Sequence, residues 1–183
     1  MPVIQNNDKG IYCTELVMRD TFVAIYTFIV NRGKGMEVVI IFLGLLFDRL
    51  TKLWALSSLK DKSEIILIKD FFKLEYLENR GAAFGILQNK LILLALVTFI
   101  IIAGMIYYVI KYKPKSKFLR ISFAMIISGA LGNLYDRIFY KYVVDFILVH
   151  YKDVYYFPTF NIADSLVVVG TLILAISIVK DEI

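Results

Sequence analysis

The chain has 183 residues, 59% of them hydrophobic, with a formal net charge of +5, one cysteine (Cys13) and one histidine (His150). A mean hydropathy of +0.70, with the apolar residues gathered in blocks, fits a polytopic membrane protein rather than a soluble domain, for which about 45–50% apolar is usual. The single cysteine excludes an internal disulfide. With one histidine beside it, metal sites, Cys–His and Ser–His chemistry are short of residues, and carboxylates remain.

Residues 1–35 mix polar and charged residues with one apolar run, Thr21 to Val30. That run is too short to span a bilayer, for which about 20 residues are needed. Asn31-Arg32-Gly33-Lys34-Gly35 follows it, which is no small-residue cleavage site. A clean apolar run opens at Met36, so the natural start is expected there and residues 1–35 are expected to lie outside the fold; an amphipathic arm on the membrane surface is the alternative. Residues 36–183 then form one domain.

A first span is expected over residues 37–56. It is apolar from Val38 to Phe47 and then carries Asp48, Arg49 and Lys52. Asp48 and Lys52 stand four apart on one helix face and can pair; an ordinary interfacial helix end with snorkelling cations is the plainer reading. Between residues 57 and 77, Ile65-Ile-Leu-Ile68, Phe71-Phe72, Leu74, Tyr76 and Leu77 suggest a small β-structure on the membrane surface. In Glu78-Asn-Arg-Gly-Ala-Ala-Phe-Gly85 the glycines permit turns, and Asn79 and Arg80 can hydrogen-bond a peptide backbone; alone, this stretch reads equally as a plain turn.

A second span, 91–110, has no charge and reads as lipid-facing scaffold. Five of the ten residues from Lys111 to Arg120 are Lys or Arg and none is acidic, so this short loop is expected in the cytoplasm. Both termini then lie inside, and 57–90 and 138–159 outside. A third span, 118–135, runs into Ser128-Gly-Ala-Leu-Gly-Asn-Leu-Tyr-Asp-Arg137, where Gly129, Ala130 and Gly132 permit close helix approach and Asn133 and Asp136 share a face. Residues 138–159 read as an aromatic-rich interfacial loop containing Val143-Val-Asp145-Phe. A fourth span, 160–179, has Asn161, Ala163 and Asp164 in its first turn, at the outer end.

Carboxylates in such segments are costly and mark function. Two brought close titrate as a unit, one keeping a proton, and can activate a water and protonate a leaving amine. Asp164 is the surest member. Its partner is Asp145 or Asp136; Arg137 and Asn133 beside Asp136 suit an ion-pair or packing role, which favours Asp145. Asn133 and Asn161 would orient the pair or hold substrate carbonyls, and Ala163 leaves room for a bulky ligand. The same carboxylates suit a proton- or ion-coupled transporter, although four spans without an evident inverted repeat speak against transport. A non-catalytic assembly protein is the third possibility.

Phe47-Asp-Arg-Leu-Thr-Lys52, Glu78-Asn-Arg-Gly-Ala-Ala-Phe-Gly85, Gly129-Ala-Leu-Gly-Asn-Leu-Tyr-Asp-Arg137, Val143-Val-Asp-Phe146 and Phe160-Asn-Ile-Ala-Asp-Ser165 resemble the successive boxes of bacterial lipoprotein signal peptidase, also called signal peptidase II. The resemblance runs from Met36 to the C-terminus, with the boxes in order. It implies a mainly α membrane protein, a four-transmembrane-helix bundle with a small extracytoplasmic β-cradle, in the bacterial cytoplasmic membrane with both termini inside. The implied activity is an aspartic endopeptidase cutting prolipoproteins before a diacylglyceryl-modified cysteine, with Asp145 and Asp164 as the catalytic pair. Asp48, Lys52, Asn79, Arg80, Asn133, Asp136, Arg137, Asn161 and Ala163 match positions that support the site or contact substrate. No metal or cofactor is implied. Membrane lipid and globomycin-type inhibitors are implied ligands; a monomer with no nucleic-acid partner is expected.

Overall fold

The computed structural model describes residues 35–82, 86–152 and 154–180. The expectations for residues 1–34 and for Ala83-Phe84-Gly85 lie outside the described residues. The chain divides into two compact units, Met1–Val38 and Val39–Ile183. Of the first, only the opening turn of a helix is described; the account below concerns the second.

In chain order the elements are α1 (Gly35–Ser58), β1 (Ile65–Ile68), β2 (Phe72–Asn79), α2 (Leu91–Tyr112), α3 (Lys117–Phe139), β3 (Val143–Tyr151), β4 (Tyr155–Tyr156) and α4 (Ile162–Val179). Among the described residues, three helices are long and apolar enough to cross a membrane: α2, α3 and α4. At 24 residues α1 has the length, but Asp48, Arg49 and Lys52 interrupt its apolar run. The expected four spans thus correspond to four helices, of which three qualify by apolarity.

Local chemistry sets the helix ends. Ser116 caps α3, its hydroxyl accepting from the Leu119 amide. Beyond α2, Lys113 turns into the left-handed region (φ 51°) and Pro114 follows, so the helix stops. α2 buries only Ile102 and exposes Ile92, Leu96 and Ile100, as a lipid-facing helix does. α3 is the buried axis. Ser122, Ala124, Ile127, Ser128, Gly129, Gly132, Asn133 and Asp136 all lie inside. Gly132 is required by close approach: a Cβ there would sit 2.6 Å from Asp48 Oδ2 and 3.4 Å from the Ala163 methyl. At Gly129 a Cβ would collide with the Ala163 carbonyl.

The strands form one antiparallel sheet in the order β1-β2-β3-β4. The β-structure expected before residue 77 is present as β1 and β2, and it extends further than expected. Residues 143–151, read from sequence as loop, are the strand β3, pairing Leu77 with Asp145 and Asn79 with Val143. The unbroken apolar run around Asp145 made no alternating pattern, because Val143 through Phe146 are all buried. α3 continues to Phe139 rather than 135. α4 starts at Ile162 rather than 160, since Phe160 is tied to the sheet by a bridge to Ile147. Ala55 and Leu59 of α1 pack with Val144 and Phe146 of β3 in one apolar cluster; Ile102, Ile127 and Leu134 join α2 to α3 in another.

Candidate functional site

Three elements converge on a single polar cluster. β3 carries Asp145, 1% exposed; α3 carries Asn133 and Asp136; Asn161 caps α4, which carries Asp164; β2 and α1 then add Asn79, Asp48 and Lys52. Asn161 is the N-cap of α4, not a residue of its first turn as expected. Its side chain accepts from the Asp164 amide at 2.9 Å, while the Asp164 carboxylate accepts from the Asn161 backbone N–H at 3.1 Å. This reciprocal capping box satisfies two orphan donors of the helix start and fixes where the Asp164 carboxylate points.

The two aspartates are linked through that asparagine. Asn161 Nδ2 donates to Asp145 Oδ1 at 2.6 Å. Asn79, at the end of β2, donates to Asp145 Oδ2 at 2.9 Å. Asn133 Nδ2 donates to Asp164 Oδ1 at 2.7 Å. All four carboxylate oxygens of Asp145 and Asp164 therefore accept a hydrogen bond, each from a group placed by backbone structure. Burial, and then the charge of Asp164, push Asp145 up to about 7, against the lowering effect of its donors Asn79 and Asn161.

Behind the pair lies a buried ionic layer. The Lys52 ammonium sits 2.9 Å from Asp48 Oδ2, 2.9 Å from Asp136 Oδ2, and donates to Asn133 Oδ1 at 3.0 Å. The pairing of Asp48 with Lys52 follows their four-residue spacing. Asp48 Oδ1 also accepts from the Ala163 amide at 3.0 Å. Asp136 is bound on its other oxygen by Arg49 at 3.0 Å, the ion-pair setting its neighbours had suggested.

The remaining sequence-predicted residues separate. Arg137 donates to the Gly81 carbonyl at 3.4 Å, and its buried Nε has no hydrogen-bond partner among the described residues. Ala163 is fully buried against α3 at Gly132, where its methyl fills the helix crossing. Arg80 lies outside the cluster, pairing with Glu78 at 3.3 Å on the surface. Arg49 is a residue of this cluster that the sequence alone does not mark out. It bonds Tyr140 Oη at 2.6 Å and stacks over the Tyr135 and Tyr140 rings. The available signal was its place beside Asp48 on a helix end rich in charge. Gly132 likewise belongs to the site, through Asp48. Among the described residues, no group of three His, Cys, Asp or Glu is arranged to hold a metal ion.

Chemically, the arrangement offers a protonatable carboxyl and a second carboxylate held rigidly nearby, which suits acid–base activation of water. A family model described as signal peptidase (SPase) II matches residues 40–180. The lipoprotein signal peptidase of Clostridium novyi (strain NT) is 66% identical over 146 residues, covering 80% of this chain and 99% of that relative. That of Clostridium acetobutylicum is 57% identical over 148 residues, covering 80% and 96%. Two solved structures of a bacterial membrane enzyme, obtained by the in meso method at 2.3 and 1.9 Å, are each 33% identical. They align with TM-scores of 0.72 and 0.71, covering 80% of this chain and 89% and 94% of theirs.

Proposed function

The chain belongs to the signal peptidase II family, the lipoprotein signal peptidases, and from that premise we propose that Asp145 and Asp164 are its catalytic pair. The observation that carries the reading is the shared asparagine: Asn161 binds Asp145 with its amide and caps the helix of Asp164 with its carbonyl. No other carboxylates in the cluster are free of cations: Asp48 and Asp136 are both neutralised by Lys52, and Asp136 by Arg49 as well.

In this reading the ionised member takes a proton from a water as the water attacks the scissile carbonyl. The protonated member gives its proton to that oxygen, and the tetrahedral species collapses with proton transfer to the leaving amine. Peptide and water become an acid and an amine, with no net change in the protonation of the pair. The substrate is a prolipoprotein whose new N-terminus is a diacylglyceryl-modified cysteine. Its lipid holds the scissile bond at the outer membrane level, where Asp164 at the start of α4 meets Asp145 of β3 through Asn161.

The membrane arrangement follows. α1 spans the membrane beside α2, α3 and α4, its charged end facing outward and neutralised within the protein. The lysine-rich turn between α2 and α3 lies in the cytoplasm together with both termini. The sheet lies outside as a cradle for the peptide. Globomycin-type inhibitors bind at the same pair, and the enzyme acts as a monomer in the bacterial cytoplasmic membrane.

The test is cleavage of a diacylglyceryl-modified prolipoprotein by purified enzyme, read as a gel shift, with Asp145→Asn and Asp164→Asn alongside. Loss of cleavage in both variants supports the pair. Near-normal cleavage by either removes that residue and brings Asp136 forward. A natural enzyme inert toward a correctly lipidated substrate would return ion-coupled transport to consideration.

A further inference from the structure

Asn133 can serve Asp164 only in one of its two amide orientations. In the observed one its NH2 meets the Asp164 carboxylate at 2.7 Å and its oxygen accepts from Lys52 and, at 3.2 Å, from Asn161. Turned over, it would set NH2 against the Lys52 ammonium and the Asn161 NH2, and oxygen against carboxylate. An ammonium only donates and a carboxylate only accepts in its ionised form, so the reversed amide is repelled at both ends. Asn161 exerts the weaker hold, because its contact to Asn133 is longer and the same NH2 also binds Asp145 at 2.6 Å. The Lys52 ammonium is fully buried, as is Asn161, and Asn133 is nearly so. Solvent is therefore kept from supplying a substitute donor.

We propose that Lys52 is a positioning residue of the reaction: its ammonium locks the polarity of the Asn133 amide and thereby aims a hydrogen-bond donor at Asp164. This rests on the reading of Asp164 as catalytic. It assigns Lys52 a role beyond neutralising Asp48 and Asp136, since either carboxylate could be balanced without any bond to Asn133. The effect reaches Asp164 through one intervening side chain, without contact between Lys52 and substrate.

The test compares Lys52→Met with its parent, both in an Asp48→Ala background so that loss of the ammonium strands no extra carboxylate and no amide NH2 faces Lys52 in the parent; Arg49 still holds Asp136. Single-turnover cleavage of the lipidated prolipoprotein is measured with Asn133 present and in Asn133→Ala. Lys52→Met is expected to slow the first by about 100-fold at unchanged KM and the second by less than about 3-fold, because interacting residues are non-additive when one acts through the other. Equal losses in both backgrounds, or no loss in the first, overturn the proposal. Cleavage left unchanged by Asn133→Ala also overturns it, because the amide would then not serve the reaction. The side-chain amide resonance of Asn133 in 15N-asparagine-labelled enzyme should move in Lys52→Met relative to its Asp48→Ala parent; an unmoved resonance overturns the proposal. Failure of Lys52→Met to fold in this balanced background marks the lysine as structural and overturns it too. Retained cleavage by Asp164→Asn would instead remove the catalytic reading itself, a separate outcome from additive losses with Asp164 essential.

Discussion

Asn161 donates to Asp145 at 2.6 Å while capping the helix that begins beside Asp164. The cap requires an acceptor; the bond to Asp145 requires a donor. Asn161→Ser keeps the first and removes the second. We expect Asn161→Ala to lower stability by about 1 kcal/mol, as loss of an N-cap does, and Asn161→Ser to recover that stability without recovering kcat. Thermal unfolding and cleavage rate, measured on the same preparations, separate the two roles; a Ser variant that regains both would leave the Asp145 bond without consequence.

On the proposed reading, replacing either carboxylate of the pair removes acid–base chemistry but little volume. Asp145→Asn and Asp164→Asn should each slow cleavage by about 1,000-fold or more, within the range ascribed to acid–base groups, with the folded state retained. Single-turnover gel shifts at enzyme excess give the rates, and unfolding temperature reports the fold.

Asp145 supplies a pH dependence of stability. Its proton is held more tightly in the folded protein, with the group raised to about 7, than in the unfolded chain, where an aspartate titrates near 3.9. The stabilising contribution is therefore complete below the unfolded value and is lost as pH rises through about 7. Unfolding temperature should fall across that window in the natural protein, and Asp145→Asn should flatten the fall. On the proposed reading the same proton serves as the acid, so activity should decline on the alkaline side of about pH 7. A Tm profile identical in the Asn variant would show that another group carries the dependence.

Gly132→Ala places a methyl against Asp48 Oδ2 and the Ala163 side chain. Asp48 cannot yield without disturbing its contacts to Lys52 and the Ala163 amide. Overpacking of this kind costs about 1–3 kcal/mol, so a lower unfolding temperature and weaker cleavage are expected together. Gly104, whose added Cβ would meet nothing within 4 Å, provides the control: Gly104→Ala should leave both unchanged.

Much of this protein is written locally. Apolar runs of bilayer length mark α2, α3 and α4, and the short boxes around Asp48, Asn133, Asp145 and Asp164 identify the family. Helix periodicity also suffices to bring Asp48 to Lys52, because residues four apart meet on any α-helix. Tertiary structure decided the rest. Val143–Tyr151 became a strand only because β2 was there to pair with it, and burial on both faces had erased the alternation that would have revealed it. Arg49 joined the site through Asp136, 87 residues away, and Lys52 reached Asn133 across 81. Ala163 meets Gly132 of another helix, a contact that no spacing along the chain reveals. Such relations depend on how elements cross in space. Sequence spacing governs neighbours on one helix or strand; hydrogen bonds between elements are set by the packing that brings them within 3 Å or so.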